Sequence, residues 1–289
     1  MQIAIPREIK PLEGRVALGP EACGDLVHAG HSVFVEQKAG SLSGYSDAAY
    51  QAVGATITAS PEETYGNAQL IVKVKDPVPA DLALLQKNHL LFCYLHLAAN
   101  PELARSLQDI GLTGIAFETV ETDNHVLPLL APMSDIAGRL ATQIGSNLLH
   151  QPAGGKGLLL GGLPGAERGR VVIIGAGNAG GNAAAMAATM GAEVTVFDLS
   201  RERLADMRRL GNNVTGLYPY RDAVRQAVAG ADLLIGAVLR TGKRSPHIVT
   251  RSMVASMAAG SVIVDISVDQ GGCIETTRPT SYEAPTYIE

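Results

Sequence analysis

The residues best suited to chemistry form a glycine pattern in the second half of the chain. Gly175, Gly177 and Gly180 follow the apolar run 171–174 in the spacing G-x-G-x-x-G, and an alanine-rich helical stretch, 183–190, comes next. Gly175 permits a tight turn, Gly177 lacks the Cβ that would block a pyrophosphate, and Gly180 lets the helix approach the strand. The helix N-terminus then offers free N–H groups and positive dipole to phosphates.

Asp198 completes this pattern at the end of a second predicted strand, 194–197. It stands at the offset of roughly 20 residues at which a carboxylate accepts both hydroxyls of a ribose. The same charge repels a 2′-phosphate, which favours NAD over NADP. Glycine-rich turns alone are common, but strand, turn, helix, strand and acid in this order favour a dinucleotide site over a plain tight turn.

Three side chains in the first half lie where parallel strands are predicted to end. Arg15 follows the first strand, Lys75 ends the run LIVKVK, and His96 ends LFCYLH. Ligands of parallel sheets bind beyond the carboxyl ends of the strands, so these positions are candidates for a substrate site. Other interpretations stay open: a surface arginine, a core histidine, and a solvated lysine, because Lys73 and Lys75 share one strand face.

The stretch VDISVDQGGC follows the last predicted strand and offers two carboxylates. Asp269 stands beyond the end of that strand, whereas Asp265 lies within it. Asp269 is therefore the better candidate for chemistry, although a glycine pair after an acid often marks only a turn.

Alternating strands and helices position these residues, which predicts an α/β fold of two Rossmann-like domains with parallel sheets. We predict a substrate domain at 1–130 and an NAD-binding domain at 131–289 that begins with a linking helix. The predicted strands are 2–5, 32–35, 70–75, 90–97, 114–118, 171–174, 194–197, 233–237 and 262–266. The predicted helices are 22–28, 47–53, 61–66, 101–110, 133–150, 183–190, 201–209, 222–229 and 252–258.

The linking helix is predicted over 133–150, with Ser134 as its N-cap. Its apolar residues recur every four positions, which predicts a packing stripe, within the chain or between subunits. The stripe consists of Ile136, Leu140, Ile144 and Leu148.

Composition narrows the class of protein. The 289 residues carry a net charge of -5, 18% charged and 4% aromatic residues, and no tryptophan, which argues against a disordered chain or a nucleic-acid partner. Three scattered cysteines without a CxxC motif indicate a reducing compartment and no metal site. No signal peptide and no apolar stretch of ~20 residues is found, so we expect a cytoplasmic protein without a membrane partner.

Motifs along nearly the whole chain resemble those of the alanine dehydrogenase family, which is related to the first domain of proton-pumping nicotinamide nucleotide transhydrogenase. The matching stretches are IPREIKPLEGRVAL, IVKVKDP, LLFCYLHLAA, IAFETVE, LPLLAPMSDIAGRLATQIG, GGKGLLLGGLPG, VVIIGAGNAG, LLIGAVL and VDISVDQGGC. The resemblance implies NAD-dependent interconversion of L-alanine with pyruvate and ammonia. It also implies a homo-oligomer, commonly a hexamer.

The resemblance also assigns roles to matching positions. Arg15 and Lys75 would bind the substrate carboxylate and carbonyl, His96 would be the acid/base, and Asp269 would assist the water, ammonia and iminium steps. Met133 would wall the substrate pocket. The positions implied to bind the cofactor are Ser134, Gly175, Gly177, Asn178, Ala179, Gly180, Asp198 and Leu239.

The sequence departs from the family at two places. Pro219 stands where the family usually has a serine that reaches the adenine end of NAD, and the sequence stops at Glu289, where relatives continue with a segment beside the nicotinamide. An expected consequence of that shortened end is impaired turnover. Two alternatives therefore stay open beside a dehydrogenase: a non-catalytic, oligomerising NAD-binding remnant, and a relative of the transhydrogenase or saccharopine-dehydrogenase type.

Overall fold

Short apolar runs form two parallel sheets in the computed structural model, which describes residues 1–289 and divides into the units Met1–Leu127 and Pro128–Glu289. The strands are β1 (Gln2–Ile5), β2 (Ser32–Glu36), β3 (Thr56–Thr58), β4 (Leu70–Val72), β5 (Leu90–Cys93) and β6 (Thr113–Ala116) in the first unit, and β7 (Arg170–Ile174), β8 (Glu193–Phe197), β9 (Val214–Leu217), β10 (Leu233–Gly236) and β11 (Val262–Asp265) in the second. The predicted α/β class with two parallel sheets is confirmed.

Helices connect the strands within each unit, as parallel pairing requires. The helices are α1 (Pro20–His28), α2 (Asp47–Ala52), α3 (Pro61–Gly66), α4 (Pro79–Leu82), α5 (Pro101–Ile110), α6 (Ala131–Leu148), α7 (Asn178–Thr189), α8 (Arg201–Arg208), α9 (Arg221–Ala229) and α10 (Arg251–Val254).

The strand order creates one reversal point in each sheet. The first sheet runs β3-β2-β1-β4-β5-β6 and the second β11-β10-β7-β8-β9, with every pair parallel. The order therefore reverses at β1 in the first unit and at β7 in the second. Such reversals leave a crevice at the carboxyl ends of the two strands concerned. The residues that follow β1 and β4, and those that follow β7 and β10, meet at these points.

Both sheets are covered on their two faces. In β7, Val171 and Ile173 belong to one hydrophobic cluster, and Val172 and Ile174 to the cluster on the opposite face. All four side chains are buried. This burial explains why the strand reads as an unbroken apolar run rather than as an alternating one.

The structure corrects several predicted boundaries. Strands β4 and β5 end at Val72 and Cys93, so Lys75 and His96 lie in the loops beyond them rather than within longer strands. Two strands, β3 and β9, were missed because threonine and glycine dilute their short apolar patterns. Helix α7 begins at Asn178, five residues before the predicted start, because packing outweighs the low helix propensity of its glycines.

The N-cap predicted at Ser134 is wrong. Helix α6 begins at Ala131, and the Ser134 N–H already donates to the Leu130 carbonyl at 3.0 Å, inside the first turn. Pro132 is the physical reason, because proline is well accommodated in the first turn of a helix, where N–H groups lack intrahelical partners. Helix α6 belongs to the second unit.

Three of the four residues in the apolar stripe of α6 are exposed, and Leu148 is half-buried. Ile136, Leu140 and Ile144 are 51%, 45% and 49% exposed. The buried face consists instead of small residues: Gly138, Ala141, Thr142, Gly145 and Ser146. Small side chains let the axis of α6 approach α7 and β10 closely. The spacing of the large apolar residues does not predict this packed face.

Candidate functional site

The glycine turn after β7 has the geometry that its sequence predicts. Gly175 has a φ of 103°, and a Cβ there would lie 2.5 Å from the Ala237 carbonyl oxygen, just beyond β10. A Cβ on Gly180 would lie 1.8 Å from the Gly175 carbonyl oxygen. Both positions therefore require glycine for the fold itself, because backbone atoms cannot move away from the added carbon.

Gly177 is different. A Cβ at this position would meet no protein atom within 4 Å, so the protein's own packing does not require glycine there. Gly177 is the N-cap of α7, and no side chain caps the N–H groups of the first turn. An open approach and uncapped donors at a helix N-terminus suit a phosphate, so these residues fit the pyrophosphate of a dinucleotide.

Asp198 lies directly beside the glycine turn. Its carboxylate accepts the N–H of Ala176 at 2.7 Å and the N–H of Ser200 at 2.8 Å, and Arg203 Nη1 lies 3.9 Å away. The acid therefore organises the loop as well as offering oxygen acceptors there. A carboxylate next to uncapped helix N–H groups fits the ribose end of the same dinucleotide.

Helix α6 packs against the start of α7. A Cβ on Gly138 would lie 2.1 Å from the Ala179 carbonyl oxygen, and Thr142 Oγ1 donates to the Ala183 carbonyl at 3.1 Å. Asn182 Nδ2 donates to Asp135 at 2.9 Å. These contacts place the first turns of α6, with Met133 and Ser134, on the side of the unit that carries the N-terminus of α7.

The two carboxylates after β11 differ in their contacts. Asp265 accepts the N–H groups of Ser267 and Cys273, each at 2.9 Å, and the hydroxyl of Thr277 at 2.6 Å. It therefore holds the loop in shape. Asp269 is exposed in the 3-10 turn Ile266–Gln270, and its selection over Asp265 stays a prediction.

Two further predicted positions lie in loops of the second unit. Leu239 follows β10 and is exposed. Pro219 follows β9, between Tyr218 and Tyr220, whose exposed rings have centroids 4.9 Å apart.

In the first unit, Arg15 is held by a neighbouring acid. Glu13 accepts the Arg15 backbone N–H at 3.1 Å, and it accepts from Nε at 2.7 Å and from Nη2 at 2.5 Å. The hydrogen bonds from Arg15 hold the pKa of the buried Glu13 carboxyl below its usual value, and the charge of Lys75 adds to this effect. Arg15 and Lys75 therefore share one neighbourhood.

Lys75 is positioned by a second buried glutamate. Glu8 Oε1 accepts the backbone N–H groups of Val74 at 2.7 Å and Lys75 at 3.2 Å. Glu8 also pairs with Lys73, at 3.3 Å, and Lys73 pairs with Asp81 at 3.4 Å. Lys73 is 1% exposed and buried in an ion-pair network, so it is not the solvated lysine; Lys75 is half-buried.

His96 is positioned by a third buried glutamate, Glu118. Glu118 accepts the backbone N–H of His96 at 2.6 Å and that of Leu95 at 3.2 Å. The Tyr94 ring lies parallel to the imidazole, with 6.0 Å between centroids. Burial raises the pKa of Tyr94, whereas the positive charge of Arg15 lowers it, so Arg15 acts on the same neighbourhood.

The three cysteines are free and buried. Burial raises the pKa of Cys23 to about 11 and that of Cys273 to about 12, and it also raises the pKa of Cys93. These groups are therefore protonated thiols at neutral pH, which excludes them as activated nucleophiles. No cluster of three or more histidine, cysteine, aspartate or glutamate residues is arranged to hold a metal ion. None of the helices combines the length and the apolar character that a bilayer crossing requires.

Comparison with known proteins supplies the family. Residues 4–137 match the N-terminal domain of the alanine dehydrogenase/PNT family, and residues 141–289 match its C-terminal domain. This chain belongs to the alanine dehydrogenase/PNT family. The resemblance predicted from the motifs is thus confirmed.

Individual members of the alanine dehydrogenase/PNT family match over nearly all of this chain. It is 48% identical to alanine dehydrogenase of Bacillus subtilis (strain 168) over 289 residues, which are 99% of this chain and 76% of that protein. A solved L-alanine dehydrogenase is 50% identical, with a TM-score of 0.90, over 100% of this chain and 80% of that one. A solved transhydrogenase from Sinorhizobium meliloti is 26% identical, with a TM-score of 0.79, over 96% of this chain and 82% of that one.

Sequence reasoning missed the buried glutamates of this alanine dehydrogenase/PNT family member. Glu8, Glu13 and Glu118 each accept the backbone N–H of one predicted site residue, Lys75, Arg15 and His96 respectively. A signal was available, since Glu8 and Glu118 follow the carboxyl ends of β1 and β6, where the rule that selected the basic residues also applies.

Proposed function

We propose that this chain catalyses the reversible, NAD-dependent oxidative deamination of L-alanine to pyruvate and ammonia. The observation that carries this proposal is the likeness to the solved L-alanine dehydrogenase, 50% identical over the whole chain with a TM-score of 0.90. The transhydrogenase alternative has weaker support, at 26% identity.

Arg15 and Lys75 bind the substrate in this proposal. Arginine suits a carboxylate through its fork of donors, and Glu13 fixes the guanidinium through Nε and Nη2. A half-buried lysine polarises a carbonyl oxygen and stabilises the negative charge that develops on it. Glu8 supports this role because it holds the Lys75 backbone. The family resemblance gives Met133, in the second unit, a contact to the substrate as its proposed role.

His96 moves the protons of the reaction. The amine of alanine reacts when it is neutral, and loss of hydride from Cα leaves an iminium to which water adds before ammonia departs. A histidine suits these transfers because imidazole exchanges protons near neutral pH. Asp269 assists the water, ammonia and iminium steps, and its exposed position in the 3-10 turn agrees with a role toward a ligand.

The second unit binds NAD, which supplies the hydride acceptor. The turn of Gly175, Gly177 and Gly180 and the N–H groups of Asn178 and Ala179 hold the pyrophosphate. Asp198 binds the ribose, with Ser134 and Leu239 as further contacts to the cofactor. Support comes from the open space at Gly177 and from the uncapped first turn of α7.

We further propose a cytoplasmic homo-oligomer, with a hexamer as the expected form. The exposed stripe of Ile136, Leu140 and Ile144 supports an interface on α6, because exposed apolar residues in a row mark contact surfaces. Light scattering after size-exclusion chromatography tests this: Ile144→Glu is expected to lower the mass of the assembly, with the exposed Gln143→Glu as its neighbour control. A single-chain mass for the unaltered protein contradicts the proposal.

The function is tested by NADH absorbance, with L-alanine and NAD in one direction and with pyruvate, ammonium and NADH in the other. Turnover in both directions that is lost in His96→Ala and in Asp269→Asn is the expected result. Tight NADH binding without turnover in the unaltered chain would instead favour the non-catalytic, cofactor-binding alternative. Turnover with another amine but not with alanine would favour a saccharopine-type relative.

A further inference from the structure

We propose that Glu118 is a positioning residue, which fixes the orientation and the tautomer of His96 so that Nδ1 carries the proton and Nε2 faces the substrate. The inference rests on the proposed role of His96 as the acid/base. Glu118 touches no reacting atom in this scheme and acts only through the imidazole.

The backbone of His96 gives the first reason. Its φ is 47°, in the left-handed region that residues other than glycine seldom adopt. Such a conformation persists only where the surroundings hold it, and it is concentrated at functional sites. Glu118 supplies that hold, because its two carboxylate oxygens accept the N–H groups of His96 and Leu95 from a buried position. The glutamate thus determines the direction in which the imidazole leaves the chain.

The ring gives the second reason. His96 Nδ1 is buried and has no hydrogen-bond partner, and it lies 3.9 Å from Glu118 Oε1. That distance is too long for a hydrogen bond, yet the carboxylate is the charged group paired with this nitrogen. A proton on Nδ1 is attracted to the carboxylate, whereas an unprotonated Nδ1 would direct its lone pair at a negative charge. The charge therefore favours the tautomer that is protonated on Nδ1.

The stacked ring of Tyr94 completes the arrangement. Its plane is within 8° of the imidazole plane, and its own ring meets Phe117 edge-on at 5.1 Å between centroids. Phe117 directly precedes Glu118, so the carboxylate and the ring that restrains the imidazole are fixed by the same segment. With the proton on Nδ1, the unprotonated Nε2 is the acceptor that a general base needs in the direction of alanine oxidation.

The tautomer of His96 tests this inference without requiring activity. Magic-angle-spinning NMR of the full chain, labelled on its histidine nitrogens, reports which ring nitrogen is protonated, and the spectrum of His96→Gln assigns the signal. We expect protonated Nδ1 in the unaltered chain. In Glu118→Gln we expect the proton to move toward Nε2, because the neutral amide removes the negative charge that attracts a proton to Nδ1. Protonated Nε2 in the unaltered chain, or no change in Glu118→Gln, overturns the proposal.

Glu36→Gln is the matched control. Glu36 is also a buried glutamate of the first unit that accepts a backbone N–H, that of Arg7 at 3.0 Å, and it contacts none of the proposed site residues. We expect the His96 signal to be unchanged in this variant. An equal change in both variants would make Glu118 a merely structural residue.

Kinetics give a second readout. Glu118→Gln is expected to lower kcat by roughly 100- to 1000-fold, within the range for a lost acid–base contribution, with little change in KM for alanine. Glu118→Asp keeps the charge and should recover part of kcat. A raised KM at unchanged kcat contradicts the proposal. If the unaltered chain does not oxidise alanine at all, the proposed function fails, while the NMR result still decides the role of Glu118.

Discussion

Glu8 Oε2 lies 3.3 Å from Lys73 Nζ, and both side chains are buried at the reversal point of the first sheet. Asp81, at the start of α4, is the second acid on the same ammonium, at 3.4 Å, and it accepts the Tyr65 hydroxyl at 2.8 Å. The Glu8 carboxylate reaches the backbone of Lys75 from this network. A buried charge cluster is therefore the support on which the proposed substrate lysine is placed.

Replacing Lys73 with methionine tests the strength of this support. Lys73→Met leaves Glu8 and Asp81 as two buried acids without their shared cation, and breaking a buried pair in this way costs about 3–5 kcal/mol. We expect a loss of that size in the free energy of unfolding, measured in urea on the full chain. The exposed Lys87→Met is the control and should change little. Equal free energies of unfolding for Lys73→Met and Lys87→Met would show that the buried charge cluster does not stabilise the fold.

Part of this arrangement could be predicted from the sequence. The glycine turn and Asp198 were found because their physical demands are local: one turn, one helix N-terminus and one neighbouring strand. The Glu8–Lys73 pair spans 65 positions and forms only because β1 and β4 are neighbours in the sheet. No spacing rule reveals such a pair before the strand order is known.

Helix α6 shows a second limit of sequence reasoning. Its period of four predicts a packing stripe of large apolar residues, within the chain or between subunits, but the face that packs within the second unit consists of small residues. The close approach of Gly138 to the Ala179 carbonyl explains this, since only the small side can approach α7. Likewise, the hold of Glu118 on His96 depends on the pairing of β5 with β6, which brings two separate strand ends together.

The Glu13–Arg15 pair predicts a pH-dependent contribution to stability. Since Arg15 lowers the pKa of Glu13 in the folded protein, the pair stabilises fully above the ordinary carboxyl pKa of 4.5, and the contribution is lost as the pH falls through the lowered folded value. Glu13→Gln should therefore reduce the free energy of unfolding at neutral pH, and the difference from the unaltered chain should disappear in acid. Urea unfolding of both proteins at a series of pH values measures this difference in the free energy of unfolding. Glu21→Gln, at an exposed position, should show no such trend. If the stability difference between Glu13→Gln and the unaltered chain grew in acid, the lowered pKa of Glu13 would be contradicted.

Cofactor choice is expected to depend on Asp198. Asp198→Ala removes the ribose acceptor and the charge that repels a 2′-phosphate. Arg203, which lies 3.9 Å from the carboxylate in the unaltered chain, remains as the nearby cation. We expect weaker NAD binding and a raised affinity for NADP relative to NAD, measured by titration of the two reduced cofactors. Asp198 also accepts the N–H groups of Ala176 and Ser200, so a thermal melt must accompany the titration. Asp206→Ala, on the exposed face of α8, serves as the control. Unchanged affinity for NAD in Asp198→Ala would count against the proposal that Asp198 binds the ribose.

The contrast between Gly177 and Gly180 separates binding from folding. A Cβ on Gly180 collides with the Gly175 carbonyl oxygen at 1.8 Å, so Gly180→Ala should cost at least about 1–3 kcal/mol of stability. A Cβ on Gly177 meets no protein atom within 4 Å, so Gly177→Ala should fold with nearly unchanged stability but bind NADH at least about tenfold more weakly, or ~1.4 kcal/mol. Gly66→Ala, equally open and in the first unit, should change neither property. Fluorescence titration of NADH beside urea unfolding measures both quantities. Full NADH affinity in Gly177→Ala would mean that the pyrophosphate does not pass over this turn.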